Sequence, residues 1–454
     1  MARRHLATVT GAGGGPGVYA RAVDPASHTL ADAVRVARLA EEARIDALFT
    51  PDLLRFNAQG AIGAQDSLVT MAALALVTSR IGLVTTVTTT FNHPFTLARQ
   101  LGTLDHVSNG RSAWNLVTSS VGEENYGGEL PSPEDRYARA AETLEVTNAL
   151  WDSWAPGALT AGAPGEPARL NPSLVRPIDH HGRFFDVAGP LNVPPLPQRR
   201  PVQIVAAQSA AGIELAARHA EVVFTALPTL DVALDVVGRL RGRARELGRP
   251  EGLPLIMSSF HATIGATEAE ALRLRQERRD AVDLVAGRAV LEDMLGGVDL
   301  SDLALDEPVP VERVRALETV GRRRGRVEVF GRMVAEGLTL RELVIAAQDT
   351  GHWAPVGTPE QLADAVEERM DAGVLDVLSI SGLGDPSRHE LVVDGLLEEL
   401  RLRGRVRRDY AGATLRENWE LPALAALPEP SAQPAATELT DLPAPASGDR
   451  VATR

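Results

Sequence analysis

Short polar side chains gather where a buried run ends, between residues 113 and 120. Asn109-Gly110 signals a turn, Ala113 to Val117 are mostly apolar, and Asn115, Thr118, Ser119 and Ser120 close the run. Amides and hydroxyls at the C-terminal end of a parallel strand are where α/β enzymes hold ligands, although a core strand ending in a Ser/Thr-rich turn would read the same way. Thr88-Thr89-Thr90 end an earlier β-branched run, either as further hydroxyl donors or as strand filler. Ser209, in Ala206-Ala-Gln-Ser-Ala-Ala-Gly212, stands where a strand runs into a helix. A serine there caps the helix, and the free backbone N–H groups of the first turn can also bind phosphate. Asp52, in Pro51-Asp52-Leu53, puts a carboxylate where a strand enters its loop, a position that equally suits a turn residue.

Absences narrow the chemistry further. The chain has no Cys, which excludes a thiol nucleophile, a Cys-ligated metal and a disulfide framework. All 46 basic residues are Arg, so Schiff-base chemistry and the P-loop lysine are excluded as well. The ten His residues are scattered, and His180-His181 cannot both face one ion from a regular strand, so no metal site is expected. No catalytic residue declares itself; His93, before Pro94 at the end of the third strand, is the candidate among the histidines. The stretch Gly11 to Gly17 resembles a dinucleotide loop only superficially, because Pro16 and the residues after it do not open a helix. A net charge of −14 argues against nucleic acid and anionic membranes as partners. No apolar run approaches the roughly 20 residues that span a bilayer, and no secretory signal is read, so a cytoplasmic location is expected.

The elements that must position these groups alternate. Strand-like runs fall at 6–10, 47–50, 81–90, 113–117, 201–207, 222–226, 255–264 and 375–380. Helical patterns lie at 28–44, 66–79, 94–106, 133–154, 209–219, 231–247, 267–290, 358–373 and 388–401. Eight strands separated by helices predict a (β/α)8 barrel, and the polar ends of strands two to five favour it over a doubly wound sheet. One domain is expected over residues 1–420, with excursions at about 155–200 and 290–341, then a disordered Pro/Ala-rich tail over 421–454. The run Arg322-Arg-Arg-Gly-Arg326 is flanked by Glu and is read as a solvated face.

The segment Arg111 to Ser119, with Asn125-Tyr126-Gly127 beyond it, resembles the signature of the luciferase-like flavin monooxygenases. The subfamily is that of nitrilotriacetate monooxygenase, dibenzothiophene-sulfone monooxygenase and the pristinamycin synthase large subunit. Further matches follow in order: His181-Gly-Arg-Phe-Phe-Asp-Val-Ala-Gly-Pro190, Pro197-Gln-Arg199, Ala217-Arg-His-Ala-Glu221, Val356-Gly-Thr-Pro359 and Thr414-Leu-Arg-Glu-Asn418. The resemblance implies a barrel of the bacterial-luciferase type. It also implies reduced FMN supplied by a separate NAD(P)H:flavin reductase, O₂, a small organic substrate oxidised through a peroxyflavin, and a homo-oligomer. By the same resemblance Asp52, Thr88, Thr89, Asn115 and Thr118 contact the flavin, and Tyr137 and Ser209 contact its phosphate. Three departures stand out: Pro133 replaces a His four residues before Tyr137, Ser120 replaces an active-site His of some relatives, and glycines fill the first loop. A flavin- or deazaflavin-dependent dehydrogenase on the same barrel, or a non-catalytic flavin-binding subunit, are the alternatives.

Overall fold

Short runs rich in Val, Ile, Leu and Thr pair side by side in a computed structural model of the chain, which describes residues 5–12, 29–55, 65–119, 121–162, 166–295, 297–315, 324–348, 351–381 and 383–427. The strands are β1 (Ala7–Gly11), β2 (Ala47–Thr50), β3 (Gly82–Thr88), β4 (Ser112–Val117), β5 (Val202–Ala206), β6 (Val222–Phe224), β7 (Leu255–Phe260) and β8 (Val377–Ile380). They close into one parallel barrel, in which β1 pairs with β8 (Ala7 opposite Val377) and with β2 (Val9 opposite Ala47). The barrel expected from the alternation is thus the fold observed.

Alternation along each strand builds two cores. Val9, Ala47, Val84, Ala113, Ile204, Val222, Met257 and Val377 fill the barrel, while Leu48, Leu83, Leu116, Val205 and Leu378 pack beneath the surrounding helices. Those helices are α1 (Leu30–Glu42), α2 (Ser67–Ala75), α3 (Pro94–Val107), α4 (Pro133–Trp151), α5 (Ala210–His219), α6 (Leu230–Glu246) and, before β8, a helix over Pro359–Asp371. Thr358 starts that last helix with a capping box shared with Gln361. No helix among the described residues is long and apolar enough to cross a membrane.

The bottom of the barrel is stoppered by the far end of the chain. Leu415, Trp419 and Leu421 join the interior core, on a one-turn helix that Thr414 and Glu417 start with a second capping box. Gly82 makes room for it, since a Cβ there would lie 2.5 Å from Leu415 Cδ1. Gly110, at φ +82°, lets Thr414 approach in the same way. Arg416 forms a buried ion pair with Glu221, and its N–H donates to Gln198 Oε1 at 3.0 Å.

Three expectations need correction. The seventh run leaves the barrel at Phe260, and Thr263–Ile264 pairs instead with Val356–Gly357 outside it. The long helix expected over 267–290 is two, Glu268–Asp280 and Leu284–Met294, because the Asp283 carboxylate accepts from the N–H groups of Val285 and Ala286 and starts a new helix. The tail does not begin at residue 421: Leu421 is buried, and the Arg199 guanidinium donates to the Ala425 carbonyl. Residues 428–454 lie outside the described residues. The excursions carry structure of their own. Hairpins pair Leu159–Thr160 with Arg169–Leu170 and His180–His181 with Asp186–Val187. Helices at Leu284–Met294, Val311–Arg315, Arg324–Ala335 and Leu340–Gln348 share a separate core around Leu291, Phe330 and Leu343.

Candidate active site at the C-terminal mouth

Parallel strands bring all their C-terminal ends to one rim, and most of the polar residues singled out in the sequence lie on it. Thr86 of β3 stands opposite Asn115 of β4, and Asn115 Nδ2 donates to Thr86 Oγ1 at 3.0 Å. The amide's other end, Oδ1, is buried without a hydrogen-bond partner. Leaving such an oxygen unmet costs about 1–3 kcal/mol, and a donor from a ligand's polar edge would remove that cost. Phe49 of β2 and Phe224 of β6 meet across the lumen with ring centroids 5.7 Å apart, making an apolar floor. Beside it a Cβ at Gly11 of β1 would meet nothing within 4 Å among the described residues.

The hydroxyls divide their duties. Thr88 is buried, and its Oγ1 accepts from the N–H of Thr90 at 3.1 Å. Thr89 turns both its N–H and its hydroxyl toward the Val117 carbonyl, at 3.0 and 3.4 Å, tying the β3 end to the β4 end. Thr118 is half-buried just past β4, where the chain turns through Ser119 at φ +22°. Ser120 and the glycine-rich stretch from Gly13 to Gly17 lie outside the described residues.

Ser209 and Tyr137, far apart in sequence, come together. Ser209 caps α5 by accepting from the Gly212 N–H at 3.3 Å, and Tyr137 Oη lies 3.2 Å from its Oγ. A Cβ at Gly212 would press to 3.3 Å on that phenol oxygen, so glycine keeps the cradle open. Two hydroxyls and the free N–H groups of a ten-residue helix converge on one point, the donor set a phosphate dianion needs. This cradle and the orphaned Asn115 oxygen together fit a phosphorylated flavin at the mouth.

Asp52 stands on the opposite side, past β2. Burial, with the field of Asp66 added, pushes its carboxyl up to about 6, while the Leu53 N–H acts the other way. Arg55, three residues further on, pairs instead with Glu124 at 3.5 Å. The loop after β4 is latched to this segment by Asn125 Nδ2, which donates to the Leu54 carbonyl at 2.8 Å. Tyr126, next in line, lies flat on Phe91 with centroids 4.3 Å apart.

His93 caps α3, its Nδ1 accepting from the Phe95 N–H at 3.2 Å, and burial followed by the Arg139 charge lowers its pKa. His180 and His181 meet different carboxylates, Glu142 at 3.1 Å and Asp186 at 2.8 Å. No group of three metal-ligating side chains forms among the described residues. Sequence reasoning missed His261 and His352, whose rings lie 5.4 Å apart at the rim. Their meeting depends on how the chain returns from the second excursion, which no local spacing signals.

A closed parallel barrel whose mouth joins, among the described residues, a neutral anion cradle, an amide oxygen without a hydrogen-bond partner and a carboxyl whose pKa is raised belongs to the class of (β/α)8-barrel enzymes. The chain is a member of the luciferase-like monooxygenase family, whose sequence profile matches residues 5–376, and it is accordingly an oxidoreductase. It is 37% identical over 394 residues to N-acetyl-S-(2-succino)cysteine monooxygenase of Bacillus subtilis (strain 168), covering 85% of this chain and 88% of that protein. It is 38% identical over 356 residues to nitrilotriacetate monooxygenase component A of Aminobacter aminovorans, covering 77% of each. Among solved structures, riboflavin lyase with modified FMN and riboflavin superposes with a TM-score of 0.80 at 27% identity, over 93% of this chain and 97% of that one.

Proposed function

We propose that the protein is the oxygenating component of a two-component flavin monooxygenase, taking reduced FMN from a separate NAD(P)H:flavin reductase and using O₂ to oxidise a small organic substrate. The observation that carries this reading is the Ser209–Tyr137 cradle at the N-terminus of α5. Two comparisons support it: the riboflavin lyase structure includes a modified FMN, and the nitrilotriacetate enzyme is named as one component of a system. Bound reduced flavin supplies the two electrons that let one atom of O₂ enter the substrate.

The chain's own residues then have distinct tasks. Ser209, Tyr137 and the first N–H groups of α5 hold the phosphate with neutral donors, and Pro133 leaves the set one His short of its relatives. The Asn115 amide meets the polar edge of the ring, with Thr88 and Thr118 beside it, while Thr89 keeps the two strand ends together. Phe49 and Phe224 exclude water from below. Asp52, with a carboxyl near 6, can take or release a proton at the rim close to neutral pH. Self-association through α2 is part of the same reading, because Val69 and Leu76 lie on its outer face, 66% and 77% exposed.

The test is anaerobic titration with reduced FMN, then rapid mixing with O₂ while absorbance is recorded. Tight binding and a long-lived band distinct from reduced and oxidised FMN are expected. Binding followed by direct return to oxidised FMN would point to hydride chemistry on the same barrel, and failure to bind would end the flavin reading.

A further inference from the structure

A cleft opens on the flank of the barrel, between α6 and the helix Arg324–Ala335 of the second excursion. Val232 and Val236 line it on one side, along a stripe of α6 that runs from Thr229 to Arg239, about 15 Å. Val329 and Met333 face them from the other helix. That helix carries two apolar stripes. Val327, Phe330 and Val334 enter the excursion's own core, whereas Val329, only 4% exposed, joins neither that core nor the one beneath α6. An apolar wall with no atoms packed on it forfeits dispersion contacts that an occupant would restore. The cleft holds about 480 Å³, its open side included, which is within the range of small-molecule sites.

The two ends differ in chemistry. At the rim end stands Gln208, between β5 and α5, whose Oε1 accepts from Thr225 Oγ1 at 2.7 Å and from the Ala226 N–H at 3.0 Å. A backbone N–H can only donate, so the amide cannot be turned round. Its Nε2 meets no acceptor among the described residues, and a carbonyl in the cleft would supply one. At the far end Arg239 and Arg332 both donate to Asp235, at 3.3 and 3.0 Å, and Glu336 offsets the charge that remains. With guanidiniums and carboxylates balanced there, nothing favours an ion, and drawing one along the valines would cost its hydration.

We propose that this cleft is a second small-molecule site, apart from the barrel mouth, and that it takes an uncharged amphipathic carbonyl compound. The carbonyl oxygen accepts from Gln208 Nε2, and the hydrocarbon chain lies along Val232, Val236, Val329 and Met333. Neither the amide donor nor the apolar wall depends on the flavin reading.

The experiment uses the full chain, free of flavin and labelled with methyl-¹³C-methionine, which gives few signals because the chain has six Met. The Met333 methyl is assigned with Met333→Leu and followed by NMR during titration with methyl hexanoate, hexanoate and hexylammonium. Saturable movement with the ester is expected, and binding of either ion should be about 10-fold weaker or less. Gln208→Glu keeps an oxygen for Thr225 and Ala226 but loses the donating NH₂, so it should weaken ester binding about 10-fold or more. A Met333 signal that stays still or never saturates, ions that bind as well as the ester, or unchanged ester affinity in Gln208→Glu would overturn the proposal. Should that variant not fold by circular dichroism, Val232→Phe, which narrows the cleft and leaves the amide alone, decides in its place: lost ester binding supports the site and undiminished binding refutes it.

Discussion

Single residues at the mouth were legible where local grammar and chemistry coincide. Ser209 reads as a helix cap in any sequence, and a cap leaves N–H groups for an anion, so its position followed from the strand-to-helix junction alone. Nothing local told that Tyr137 would reach it, or that Asn115 would spend its amide nitrogen on Thr86 and leave its oxygen unmet. Ser209→Trp should fill the cradle and raise the dissociation constant for reduced FMN at least 100-fold with the fold intact by circular dichroism; unchanged affinity would place the phosphate elsewhere. Asp52 makes a prediction about pH. Its folded carboxyl, pushed up to about 6 from an ordinary 3.8, binds its proton more tightly than in the unfolded chain, so ionisation opposes folding. The stability it contributes when protonated is complete below pH 3.8 and is lost as the pH rises through 6. Asp52→Asn should therefore raise the melting temperature at pH 8 and change it little at pH 4, and equal effects at both would contradict the shift.

At the scale of elements, the strands and their helices were readable from periodicity, because a barrel strand buried on both faces and an amphipathic helix leave different patterns. The breaks in that reading have physical causes. Asp283 ends one helix by starting another, and β7 ends at Phe260 because the chain there turns to the returning segment, Phe260 bridging Trp353 and Thr263 pairing with Val356, partners nearly a hundred positions away. The first excursion was legible only as a stretch too apolar to be a linker. Its hairpin at 180–187 is in fact clamped to α4: Glu142 accepts from the N–H groups of Phe184 and Phe185, at 3.0 and 2.9 Å, and from His180. Phe185 is thereby set under the Arg139 guanidinium at 4.3 Å, and Arg139 in turn donates to the Thr89 carbonyl at 3.2 Å. Glu142→Ala leaves buried donors unmet and should cost about 2–3 kcal/mol in urea unfolding. It should also expose the hairpin to proteolysis; a hairpin as resistant as before would show that the clamp does not hold it.

For the molecule as a whole, eight alternations were enough to expect a barrel, yet the stopper at its base could not be foreseen, since Thr414 to Asn418 stood out in the sequence only as a segment matching the family. Trp419 is fully buried in the barrel's interior core, and Trp419→Ala should cost about 3–5 kcal/mol, read as a lower urea midpoint with an unchanged slope. A loss below about 1 kcal/mol would mean the base tolerates an opening. The stopper and β8 also set an order of events during synthesis. One edge of β1 is met early by β2, but the other waits for a partner 370 positions downstream, Ala7 for Val377, and the plug comes later still. Until residues 377–380 have left the ribosome, β1 and β7 each present an unpaired edge above an unsealed base. Barrel closure is thus a late, long-range step, and the growing chain depends on being kept from its neighbours until its two ends meet.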